Sequence, residues 1–217
     1  MKRKLSIKIM CIVLAFAMLI ACIPMSASAD TSKIRFGILS DIHYLAPSLK
    51  SDSEEWHNFV QNKHKEYNDL DSLLDNALDG VARNEVEYIL IPGDLTKDGE
   101  LESHRALAAR LEKFEKETGI SVLVIPGNHD VNNSNAVTYE NGTKEPTDKT
   151  SPEQFREIYA DLGYDMADSF FTPESGGTEG MLSYAATLGS YRLIAIDSCM
   201  YTEENEHMTD GRIGDGL

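Results

Sequence analysis

The sequence predicts an α/β fold built on a parallel sheet, with antiparallel strands added at the end of the chain. Two observations carry this. Apolar β-type runs alternate with helical stripes from residue 34 to residue 163, the pattern of successive βαβ units. Two further β-type runs then bracket Gly189-Ser190, a two-residue hairpin signal. A third observation bears on function: the first three runs each end in a short motif of Asp, His or Asn. Ligands of open α/β sheets bind outside the carboxyl ends of the strands.

Each element has its own local reason. The first strand spans about Ile34 to Ser40, followed by a polar insertion from Tyr44 to about Asn68. Leu70, Leu73, Leu74, Ala77, Leu78 and Val81 then form one apolar stripe at helical spacing. The second strand, Val86 to Ile91, stops at Pro92-Gly93. A helix from Glu100 to Glu117 buries Leu101, Leu107, Ala108, Leu111 and Phe114, and Gly119 is placed to end it. The third strand, Val122 to Ile125, stops at Pro126-Gly127. A second polar segment, Val131 to Thr150, leads to a fourth helix with Ser151 as N-cap, Pro152 at N1 and Gln154 at N3, a capping box. Phe155, Ile158, Tyr159 and Leu162 are its buried stripe and Gly163 its stop. Met181–Leu188 and Tyr191–Asp197 form the hairpin. Both polar segments follow a site motif, so both are expected on the rim of the crevice.

A chain of 217 residues with 41% hydrophobic and 26% charged residues has the composition of a globular protein, not of a disordered one. Residues 1–29 read as an export signal: Met1-Lys2-Arg3-Lys4 and Lys8 are basic, Ile9 to Met25 apolar, and Ala27-Ser28-Ala29 an A-x-A cleavage site. Residues 30–217 form the domain. An uncleaved anchor is a second reading, against which the apolar stretch is short. A third makes Leu19-Ile20-Ala21-Cys22 a lipobox with a lipidated Cys22, the one route to stable membrane association. Plain secretion is preferred over the lipoprotein reading, and both place the mature protein outside the cytoplasm, secreted or in the cell envelope. Cleavage removes four basic residues and no acidic ones, taking the net charge from −16 to −20. That charge argues against nucleic-acid partners, whose phosphates require Lys/Arg neutralisation. Of three cysteines only Cys199 survives processing, which leaves no internal disulfide and makes Cys199 a small buried hydrophobe at a strand end.

The motifs are Asp41-Ile-His43, Gly93-Asp94 and Gly127-Asn128-His129-Asp130. Asp41 and His43, two apart in an extended strand, project to one side and can bind one transition metal. Asp94 could reach the same ion and bridge to a second, to which Asn128 offers a neutral amide oxygen. Such a pair of ions stabilises the attacking and leaving oxygens of an in-line displacement and supplies a metal-bound hydroxide as nucleophile. His129, pointing away from its neighbour Asn128, is expected at the phosphoryl or leaving-group oxygen as donor or general acid, with Asp130 orienting its imidazole. An isolated Asp94 or Asp98 is equally a turn former. His57, His64 and His104 are read as solvated surface residues.

Taken in order, these motifs resemble those of the calcineurin-like metallophosphoesterase superfamily over about Ile34 to Asp197. The resemblance implies a mixed two-sheet β-sandwich flanked by helices (αββα). It implies one metal on Asp41, His43 and Asp94, another on Asp94 and Asn128, and His129 at the phosphate. The ions would be divalent or transition metals (Mn, Fe, Zn or similar), and the substrate a small phosphomonoester or phosphodiester. Purple acid phosphatases carry a tyrosine after Gly-Asp; here Leu95-Thr96-Lys97 follows, closer to the cyclic-nucleotide-phosphodiesterase-like branch. The family also supplies a later strand-end histidine and a Gly-His-x-His motif. Neither is present, and His207 lies in a polar setting, so 30–217 is expected to be the N-terminal portion of a longer, C-terminally incomplete domain. The alternatives are a catalytically inactive fragment or pseudoenzyme acting as a binding module, and a nuclease of the same superfamily, which the acidic surface disfavours.

Overall fold

A computed structural model describes residues 33–63, 66–171 and 180–200. The readings made on Met1–Ala29, Cys22, His64 and His207 lie outside the described residues. None of the described helices is long and apolar enough to cross a membrane.

Strands β1 (Phe36–Ile38), β2 (Tyr88–Pro92) and β3 (Ser121–Ile125) form a parallel sheet in the order β1-β2-β3. Helix α2 (Leu70–Ala82) connects the first pair and α3 (Leu101–Thr118) the second. Ile89, Val122, Leu107 and Leu111 are fully enclosed, placing the core between this sheet and its helices. Leu74 and Leu78 bury the α2 stripe, whereas Leu73 is 49% exposed. Gly119 ends α3 in the left-handed conformation at φ 74°, its N–H donating to the Glu115 carbonyl. This is the αL stop that favours glycine.

Helix α4 (Pro152–Ile158) carries the predicted capping box on Ser151 and Gln154, both hydrogen bonds present. A π-type turn over Ala160–Tyr164 follows and breaks at Gly163. Strands β6 (Ala167–Phe170), β7 (Tyr184–Leu188) and β8 (Tyr191–Ala195) form an antiparallel sheet in that order. Leu188 pairs with Tyr191 across the Gly189-Ser190 turn. The two sheets meet where the Tyr184 hydroxyl donates to the Val124 carbonyl at 3.1 Å and the Phe36 and Tyr191 rings stand edge to face. The result is a mixed α/β structure with a parallel and an antiparallel sheet flanked by helices.

Three features depart from the sequence reading. The first strand is shorter, Phe36–Ile38 in place of Ile34 to Ser40, and the chain beyond it turns left-handed at Asp41 and His43. The 44–68 insertion contains helix α1 (Glu54–Lys63), whose Trp56 is enclosed with Tyr67 and Tyr139 and donates from Nε1 to Asn68. The 131–150 segment folds back through the short pair β4 (Val137–Thr138) and β5 (Glu145–Pro146). Aromatic burial and local strand pairing organise both segments, which composition alone marked only as polar.

Candidate metal site

The site is assembled by the chain that follows β1, β2 and β3. Beyond β1 the chain keeps alongside the β2 loop: Asp41, His43 and Tyr44 donate their N–H groups to the carbonyls of Gly93, Asp94 and Leu95, at 3.4, 2.9 and 2.9 Å. Asp41, His43 and Asp94 have φ of 57°, 48° and 48°, in the left-handed region that side chains other than glycine seldom occupy. Such conformations cost on the order of 1–3 kcal/mol each and gather at functional sites. They also correct the geometric argument from the sequence: Asp41 and His43 are not alternate residues of an extended strand.

The β2 and β3 loops approach each other through two glycines. A Cβ on Gly127 would lie 2.2 Å from both the N and Oδ1 of Asp94, and one on Gly93 only 2.8 Å from the Cα of Gly127. Gly93 also holds φ at 106°. Any side chain here would push the loops apart, so the Pro-Gly stops are a packing requirement of the site.

His43, Asp94 and His129 each offer a ligand atom, and the three atoms lie within 4.8 Å of one another. His43 Nε2 is 3.8 Å from Asp94 Oδ2, and the two imidazoles stand edge to face at 4.8 Å. His129 thus stands beside the His43–Asp94 pair, and Asp41 is not among the three. Asp41, Asp94 and Asn128 line a separate cavity of about 410 Å³ that extends between Leu123, Tyr184 and Ile194. Asp94 thus belongs to the group with His43 and His129 and also lines the cavity with Asp41 and Asn128. The His43 imidazole and the Asp94 carboxylate, half-buried and converging, are nitrogen and oxygen donors suited to zinc, manganese or iron, with the His129 ring beside them.

The orientation of His129 is set by a residue other than the one expected. Its Nδ1 lies 2.7 Å from the Lys97 carbonyl and 2.9 Å from Asp98 Oδ1. A carbonyl can only accept, so Nδ1 carries the proton and Nε2 is the nitrogen available for chemistry. The hydrogen bond that Nδ1–H donates to Asp98 raises the proton affinity of His129, with partial burial opposing it. Asp130, assigned that role from adjacency, does something else. Its carboxylate is fully enclosed and accepts from the N–H groups of Leu95, Thr96 and Gly127 and from the Thr96 hydroxyl, at 3.0, 2.8, 2.7 and 2.9 Å. Asp130 ties the β2 and β3 loops together and does not touch the His129 ring. Burial pushes its pKa up to about 6, against those bonds.

His104, read as a surface residue, is wholly enclosed behind the site. Its Nε2 donates to the Asp130 carbonyl at 2.9 Å, and the Tyr159 hydroxyl donates to its Nδ1 at 2.8 Å. This neutral tautomer suits a dry position, and burial lowers its pKa to about 3. The signal was present in the sequence: His104 falls on the Leu101, Leu107, Ala108, Leu111 stripe of α3. Asp98 had no comparable signal. His57 is exposed and pairs with Asp52. Cys199 lies part-buried beyond the end of β8 with Sγ 3.4 Å from the Pro126 carbonyl, and burial pushes its thiol pKa up.

No curated protein matches the chain. The family model for calcineurin-like phosphoesterases matches residues 34–194, a span that runs from the start of the parallel sheet into β8 and contains all three motif loops. With that match over most of its length, and a metal-capable His/Asp group where the three loops meet, the chain belongs to the calcineurin-like phosphoesterases, hydrolases that act on phosphate ester bonds.

Proposed function

We propose that this protein is an exported phosphoesterase that cleaves phosphomonoesters or phosphodiesters at a dinuclear metal site. The observation that carries the reading is the position of Asp94, grouped with His43 and His129 on one side and sharing a cavity with Asp41 and Asn128 on the other. In this reading Asp94, His43, Asn128 and Asp41 would hold the ions, with Asp94 common to both. The ions, when bound, supply Lewis acidity toward phosphoryl oxygens and lower the pKa of water. His129, protonated at Nδ1 and held by Asp98, uses Nε2 to donate a proton or hydrogen bond to the leaving oxygen. Asp130 and His104 keep the loops in register. Export rests on the Met1–Ala29 pattern.

The test is a chelator-stripped protein reloaded separately with zinc, manganese and iron, then assayed on matched phosphomonoesters and phosphodiesters. Phosphate release that returns with metal is expected. Release that proceeds equally without metal would overturn the reading.

A further inference from the structure

A second cleft, of about 310 Å³, is lined by His43 and His129 together with Phe59, Lys63, Lys97 and Lys144. Lys63 and Lys144 come from the two polar segments, Lys63 as the last residue of α1 and Lys144 immediately before β5, while Lys97 belongs to the β2 loop. Their charges are not equivalent. Lys97 is buried, paired with Asp98 and Glu100, and placed 5.5 Å over the Phe59 ring, so its charge is spent within the protein. Lys63 and Lys144 are exposed and have no ion-pair partner among the described residues. Two uncompensated cations on one cleft stand out in a chain of net charge −16. The carboxylate that lines the cleft, Asp98, is engaged by His129 and Lys97.

We infer that this cleft is the leaving-group pocket, and that it takes phosphoesters whose alcohol carries a second anionic group, a phosphate or a carboxylate. The inference rests on the phosphoesterase reading, because that reading assigns His129 to the leaving oxygen and His129 lines this cleft. Hydrolysis breaks the bond between phosphorus and the alcohol oxygen. Water forms the new bond to phosphorus and releases a proton to solvent, the departing oxygen takes its proton from His129, and His129 regains one from solvent. The alcohol then extends past Phe59, which offers apolar surface to its carbons, toward Lys63 and Lys144. Exposed cations attract such an anion modestly and in a salt-dependent way, so the effect is one of preference among substrates.

The metal-loaded protein and its Lys63→Gln/Lys144→Gln double variant are compared on propyl phosphate, 1,3-propanediol bisphosphate and the corresponding carboxylate-bearing monophosphate. Binding of propylphosphonate and propane-1,3-bisphosphonate is measured in parallel, at low and high salt. The wild type is expected to favour at least one doubly anionic substrate over propyl phosphate in kcat/KM by about tenfold. In the variant the ratio falls to about twofold or less, and high salt narrows it in the wild type. The bisphosphonate shows the same lysine-dependent preference in binding. Whether the bisphosphate or the carboxylate substrate is preferred identifies the second anion. Propyl phosphate turnover with no preference, or a preference that survives in the variant, overturns the pocket and leaves the phosphoesterase reading standing. Lysine-dependent bisphosphonate binding without hydrolysis of any ester supports the anion pocket and overturns the phosphoesterase reading.

Discussion

Asp98 Oδ1 stands 2.9 Å from His129 Nδ1, across a sequence separation of 31 residues, and shares that nitrogen with the Lys97 carbonyl. The pair fixes which imidazole nitrogen faces the chemistry and strengthens its hold on a proton. Replacing Asp98 by Ala is therefore expected to lower kcat by roughly 10–100-fold, the usual scale for groups that orient a site residue. Metal content, read by elemental analysis, should stay at the wild-type value. Because Asp98 raises the His129 pKa, its loss should also move the alkaline limb of the kcat profile to lower pH. An unmoved limb would mean that Asp98 acts elsewhere.

Asp130 gives the opposite signature. Its removal strands the buried N–H groups of Leu95 and Thr96 and the Thr96 hydroxyl, each costing about 1–3 kcal/mol when left without an acceptor, and the half-buried N–H of Gly127. Asp130→Ala should lose several kcal/mol in urea unfolding, well beyond the loss from Asp98→Ala. Wild-type stability with lost turnover would restore a chemical role to Asp130.

His104 sets an acid limb of stability. Its folded pKa, near 3, lies below the ordinary 6.5, so on acidification the unfolded chain takes up a proton that the folded chain refuses. The stabilisation is complete above pH 6.5 and declines below it, by at most about 1.4 kcal/mol per pH unit. His104→Gln lacks this term. Asp130, whose pKa is pushed up to about 6, works in the reverse sense and does so in both proteins, so it cancels in the comparison. Urea unfolding at pH 7.5 and 5.5 should show wild type losing about 1 kcal/mol relative to His104→Gln. A constant gap would show that His104 is not held neutral.

The three motif loops and the parallel order of their strands were legible because each apolar run stops at a polar motif, two of them behind a Pro-Gly pair whose glycines the packing requires. The Ser151–Gln154 capping box and the Gly189-Ser190 hairpin are local, and both appear where the residues place them. What adjacency could not reveal was long-range partnership. Asp130 sits next to His129 in sequence, yet its carboxylate turns back to the β2 loop, while Asp98 crosses from that loop to the ring. Nor could alternation along a strand describe Asp41 and His43, since the left-handed backbone there depends on hydrogen bonds to Gly93 and Asp94. The insertion read as polar because its organising aromatics, Trp56, Phe59, Tyr67 and Tyr139, are scattered over more than eighty residues.

The central claim is that Asp94 is shared between two ions. The most direct measurement is the metal stoichiometry of purified wild type and Asp94→Ala, by elemental analysis after equilibrium dialysis against one divalent metal. Circular dichroism on the same samples confirms that both are folded. The account predicts two ions per wild-type chain and less than one in the variant, with phosphoester hydrolysis lost alongside. A wild-type chain that holds a single ion, or an Asp94→Ala chain that keeps two, would contradict it.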